Sequence, residues 1–123
     1  MNGAIVLSWG TPVRGREAKS LEVFGQALAY FDALAKKGRV HNHHEYISLT
    51  GNVGKLGGFQ IVDGELGELQ KILTEEETQK LIYRAENIVE NFTVQLFVGG
   101  NETSIQQSMT RWMEVLTEQG YLS

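Results

Sequence analysis

The chain has 123 residues, 41% of them hydrophobic, and a formal net charge of −4; that is enough apolar material for one packed domain, 1–123, and too much for a disordered chain. Acidic and basic residues are interleaved with no stripe of Lys and Arg, which argues against a nucleic-acid or anionic-membrane partner. Cysteine is absent, so disulfides, thiolate metal centres and cysteine nucleophiles are excluded.

Gly3–Trp9 reads as a strand that is apolar on both sides, with Ile5 and Leu7 on one and Ala4 and Val6 on the other. Its apolar run is too short for a signal-peptide core. No later run approaches the roughly 20 residues that span a bilayer, so a cytoplasmic protein is expected. Gly10-Thr11-Pro12 stops the strand, and a loop with Arg14 and Arg16 follows. Glu17–Lys37 has helical spacing: Leu21, Phe24, Leu28, Phe31 and Ala35 form a stripe, widened by Ala27 and Leu34. Gly38 is placed to cap it in the left-handed conformation.

Arg39–Thr50 holds all three histidines and reads as the second strand. One alternating set is Val40, Asn42, His44, Tyr46 and Ser48; the other is His41, His43, Glu45, Ile47 and Leu49. A glycine-rich connection, Gly51–Gly58, leads to a third strand at Phe59–Asp63, and a hairpin is the economical pairing. The connection reads as a flexible hairpin tip or a flap. It is no phosphate loop, because Leu56 stands where Ser or Thr is needed and no helix follows. Glu65–Asn91 is helical in two pieces, with Thr74 and Glu77 in the pattern of a capping box. Phe92–Val98 is the fourth strand. A last helix, about Glu102–Gln119, gathers Ile105, Met109, Trp112, Met113 and Leu116 on one side, and Gly120 closes it.

The order β-α-β-β-α-β plus a terminal helix predicts an α+β, ferredoxin-like fold. A four-stranded antiparallel sheet in the order 4-1-3-2 is expected, with both main helices on one face. Facing the helices are the strongest apolar sets: Ile5 and Leu7, Ile47 and Leu49, Phe59 and Ile61, Val94 and Leu96. The other face, with Val6, Tyr46, Val62 and Phe97, is left open. Covering a few hundred Å² of such a surface is worth several kcal/mol at about 25 cal/mol per Å², so a homodimer packed through these faces is expected.

The element order, the Gly57-Gly58-Phe59 entry to the third strand and the Glu65–Val98 stretch resemble dimeric α+β-barrel proteins of the ferredoxin-like class. Gln79–Ala85, followed by Ile88-Val89-Glu90, is most similar to small uncharacterised bacterial members related to the YCII-like group. That resemblance implies a superfamily of cofactor-free monooxygenases, haem enzymes, lactone isomerases and proteins without known activity. It also implies a site in the cavity on the sheet face opposite the helices.

On that face the expected parity gathers Ser8, His44, Tyr46, Ser48, Gln60 and Gln95, with Thr93. Donors and acceptors on a partly apolar surface suit a small, partly polar organic ligand. Imidazoles titrate near neutrality, so His44 with Tyr46 is the candidate pair for proton transfer. The competing reading is a wet dimer face with no ligand. On the other side of the second strand, His41 and His43 are spaced two apart, about 7 Å along the strand. With Glu45, and Asp63 from the hairpin partner, they are a weaker metal-binding alternative; protection of an edge strand by polar residues explains the same pattern. Arg14 and Arg16, near Trp9, could clamp an anion or could be solvated loop charges. No serine lies in a nucleophile elbow, and no motif calls for a cofactor. The expected function is small-molecule binding or protein interaction in a dimeric α+β barrel. The alternative is a cofactor-independent enzyme using His44 and Tyr46.

Overall fold

The computed structural model describes residues 1–122. Along the chain lie β1 (Asn2–Trp9), α1 (Glu17–Lys36), β2 (Asn42–Ile47), β3 (Gly58–Glu65), α2 (Leu66–Thr74), α3 (Glu76–Glu86), β4 (Thr93–Val98) and α4 (Glu102–Glu118). The strands form one antiparallel sheet in the order β2-β3-β1-β4, the order expected from the sequence. Helices α1, α2 and α3 cover one face, giving the ferredoxin-like α+β architecture.

The core lies between that face and the helices. Ile5, Leu7 and Val62 meet Phe31 and Leu34 of α1, Leu69 and Ile72 of α2, and Leu81 of α3, all buried. Burying each such side chain stabilises the fold by about 1.5–3 kcal/mol. The buried side of α1 is rotated from the expected stripe. Ser20, Val23, Phe31 and Leu34 are buried, whereas Leu21 is 75% exposed.

The parity of β3 is the opposite of the expectation. Ile5 pairs with Val62 and Leu7 with Gln60, so Gln60 and Val62 face the helices. Phe59 and Ile61 stand on the open face instead. The glycines at the strand's ends explain the choice. Gly58, Gln60, Val62 and Gly64 share one side. A Cβ on Gly58 would lie 2.8 Å from the Trp9 ring, and one on Gly64 would lie 3.0 Å from Leu69. The two bare positions let Trp9 and α2 press onto the sheet where Phe59 and Ile61 could not fit.

Gly38 caps α1 as expected, with φ 72° and a hydrogen bond to the Ala35 carbonyl. The expected capping box does not form. The Thr74 hydroxyl donates back to the Lys71 carbonyl, and Glu75 is the N-cap of α3 without a side-chain bond. The corner between α2 and α3 is held by Arg39, which donates to Glu68 through Nε at 2.7 Å and to Glu75 through Nη2 at 3.0 Å.

The Gly51–Gly58 connection is seated on its neighbours, not a free flap. The Gly57 amide donates to the Trp9 carbonyl at 2.6 Å, and Asn91 donates through Nδ2 to the Gly54 carbonyl at 2.8 Å. Helix α4 begins with Asn101 accepting from the Ser104 amide, and the Ser104 hydroxyl accepts from the Asn2 amide. Beyond Ser104 its apolar stripe is uncovered: Ile105, Met109, Trp112 and Met113 are 45–55% exposed. No helix of the described residues is long and apolar enough to cross a membrane.

Candidate ligand chamber and the histidine strand

Strand pairing carries parity across the whole sheet. His43, Glu45 and Ile47 pair with Val62, Gln60 and Gly58 and face the helices. His44 and Tyr46 pair with Ile61 and Phe59 and look the other way, as expected. On that open face β1 contributes Val6 and Ser8, and β4 contributes Thr93, Gln95 and Phe97. Ser8 and Thr93 are hydrogen-bonded hydroxyl to hydroxyl. Tyr46 stacks on Phe59 with ring centroids 5.1 Å apart. His44 and Gln95 are exposed there. Ser48 lies beyond the end of β2, where its hydroxyl donates to the Thr50 carbonyl. Of the expected set, Ser8, His44, Tyr46 and Gln95 therefore share one face. Gln60 does not: it is 1% exposed on the helix side.

Gln60 leads to a chamber that the sequence reading missed. A cavity of about 170 Å³ lies between the sheet and helices α1 and α3. Leu7, Trp9 and Gln60 form its floor; Phe24 and Ala27 stand on one wall, Leu81 and Ala85 on the other. Trp9 and Phe24 meet edge to face at 5.6 Å. Leu21 and Ile47, 75% and 72% exposed, stand at its rim. That position explains why Ile47, expected in the core, is so open. Besides the Trp9 indole, the polar side chains lining the chamber are Ser20 and Gln60. The Ser20 hydroxyl donates to the Glu17 carbonyl at 2.7 Å, so its proton is not available to a ligand. A cavity of 150 Å³ with apolar walls holds one benzene ring, so this chamber has room for a small ring.

Gln60 is the inner end of a hydrogen-bonded chain. Its Nε2 donates to Glu45 Oε2 at 2.8 Å. The same oxygen meets His43 Nδ1 at 2.5 Å, and His43 Nε2 meets Asp32 of α1 at 2.5 Å. Burial works against a charged His43, but the hydrogen bonds and charges of Asp32 and Glu45 outweigh it and raise its pKa above the ordinary value. Both ring nitrogens are thus occupied by carboxylates, and no lone pair of His43 is free for a metal. His41 is exposed before the start of β2, its amide bonded to the Asp63 carbonyl. Asp63 pairs with Asn42, beside His43 as expected, but that parity puts it on the sheet face opposite His43. Among the described residues no group of three or more His, Asp and Glu could hold a metal ion.

The arginine clamp is likewise not assembled. Arg16 spends its guanidinium on the Asn87 carbonyl, tying the start of α1 to the end of α3, and Arg14 is exposed. A signal for the chamber was present in the sequence: Gln60 sits amid apolar neighbours on a strand flanked by glycines. It could be used only once the parity of β3 was known.

No protein-family model and no curated protein matches the chain. Solved structures do. A dimeric protein of unknown function and ferredoxin-like fold from Bacteroides fragilis superposes with TM-score 0.58 at 9% identity, covering 78% of this chain and 94% of its own. A dimeric ferredoxin-like protein of unknown function from Thermobifida fusca gives 0.58 at 10% identity, covering 78% and 90%. A mutant of SnoaB from Streptomyces nogalater, described as a cofactor-independent oxygenase, gives 0.61 at 13% identity, covering 81% and 94%. At these identities the likeness is one of fold: this chain shares the ferredoxin-like architecture of proteins that include dimers of unknown function and an oxygenase.

Proposed function

We propose that the protein is a cytoplasmic bacterial homodimer that binds a small, mainly apolar organic molecule between its sheet and helices α1 and α3. The observation that carries this reading is the chamber itself: enclosed by aromatic and aliphatic side chains, open at an apolar rim, and floored by one polar group at Gln60. Dimeric ferredoxin-like neighbours support the homodimer. The narrower kinship with the YCII-like group rests on the Gln79–Ala85 and Ile88–Glu90 pattern alone. Titration with toluene, followed by amide chemical shifts, tests the chamber. Saturable shifts at Leu7, Ala27 and Leu81 are expected at millimolar toluene, and Ala27→Phe should abolish them by filling the space. Shifts absent from these residues, or untouched by Ala27→Phe, would remove the chamber as the site.

A second reading is catalytic. Ser8, His44, Tyr46 and Gln95 stand together on the face that a second copy would cover, and a neighbour of the same fold is named as a cofactor-independent oxygenase. In that reading His44 moves a proton on a substrate held between two sheets, with Tyr46 beside it. His44→Ala would then abolish turnover with the melting temperature nearly unchanged.

A further inference from the structure

Gln60 presents a planar amide whose two halves are chemically opposite, one donating and one accepting. The donating half is committed, because Glu45 Oε2 accepts from Nε2 at 2.8 Å. That oxygen cannot change roles easily. It also faces His43 Nδ1, and the far nitrogen of His43 is held by Asp32. An imidazole between two carboxylates satisfies both as a double donor, which keeps Glu45 an acceptor. The amide of Gln60 therefore cannot flip without setting its carbonyl oxygen against a carboxylate. Its carbonyl oxygen is left on the side away from Glu45, and Gln60 lines the chamber.

We propose that Gln60 reads the ligand as a hydrogen-bond acceptor, so the chamber selects a single aromatic or similar ring bearing one O–H or N–H donor, such as a phenol or an arylamine. The inference rests on the chamber being a ligand site. Size sets the ring number: about 170 Å³ takes one ring, and a larger ligand must extend through the rim past Leu21 and Ile47. Polarity sets the substituent. The Ser20 hydroxyl donates to Glu17, so it has no proton left for an acceptor-only ligand, and such a ligand leaves the Gln60 carbonyl unpaired. Glu45 is a positioning residue: it touches no ligand and acts by fixing which half of the amide faces inward. His43 and Asp32 stand behind it.

The test compares phenol, benzaldehyde and toluene by calorimetric or NMR titration of the full chain. Wild type is expected to bind phenol at least about tenfold tighter than benzaldehyde, the scale of one hydrogen bond in a buried site. Gln60→Leu should reverse the order, with toluene the tightest. Glu45→Gln frees the amide to rotate and should bring phenol and benzaldehyde within about threefold of each other. Benzaldehyde equal to or tighter than phenol in wild type overturns the proposal, as does a ratio unchanged by Glu45→Gln. Toluene binding without a preference for phenol leaves the chamber standing and removes the role of Gln60. Failure of all three probes removes both.

Discussion

His43 shows how one residue's surroundings decide its charge. A neutral imidazole has a single N–H and cannot donate to Asp32 and Glu45 at once; the cation can. The folded pKa is raised, so the stabilisation is fully present below the unfolded value, about 6.5, and fades as pH rises through the folded value. The facing groups are Asp32 from α1, Glu45 on the same strand and the uncharged Gln60 of β3. The Asp32 side chain is 61% exposed, so solvent screens its share. Wild type should exceed His43→Gln in urea midpoint most at pH 6, with the gap narrowing towards pH 9. An equal gap at both ends would show that folding leaves the pKa of His43 unshifted, and a gap that widens with pH would show that it is lowered. The histidine pattern was plain in the sequence, but its partner was not. Asp32 lies on the exposed side of α1, and only the packing of that helix across β2 brings it to His43.

At the scale of elements, the glycine-rich connection depends on close backbone approach. A Cβ on Gly57 would lie 2.1 Å from the Gly10 carbonyl oxygen, and one on Gly10 would lie 2.1 Å from the Gly54 oxygen. Gly25, on exposed α1, meets nothing within 4 Å. Denaturant unfolding should therefore separate two formally identical changes. Gly57→Ala is expected to destabilise by about 2 kcal/mol or more through overpacking. Gly25→Ala should stabilise by up to about 1 kcal/mol through helix propensity. A neutral Gly57→Ala would mean that the loop moves off β1 freely. Element order, sheet order and the Gly38 cap were legible because each is written in local pattern: apolar period, turn residues, and one glycine after a helix. The direction of β3 was not. Phe59 and Ile61 outweigh Gln60 and Val62 in hydrophobicity, which points them at the core. Here both faces of the sheet are apolar, so that comparison loses its force, and steric room beside Gly58 and Gly64 decides. Gln60, read from the sequence as a polar residue of the open face, lies buried on the helix side instead.

For the whole molecule, the reversed β3 makes the open face more apolar than expected. Phe59 and Ile61 join Val6, Tyr46 and Phe97 there, with Tyr46 and Phe97 52% and 46% exposed. The face is mixed, since Ser8, His44, Thr93 and Gln95 stand among these side chains, and its exposed apolar part marks it as an interaction surface. A second copy is the occupant proposed above. The chamber opens on the other side of the sheet, between α1 and α3, so the proposed association and the proposed ligand binding can be tested separately. Sedimentation of the wild type at micromolar concentration should give the dimer mass. Phe97→Asp together with Tyr46→Asp should weaken association by about a hundredfold, the loss expected for charging the centre of an apolar interface. The same variant should keep its toluene shifts at Leu7 and Leu81. A wild type that sediments as a monomer would mean that this face is open in solution. A charged variant that stays dimeric would move the interface to the exposed stripe of α4, where Ile105, Met109 and Trp112 offer the next apolar surface.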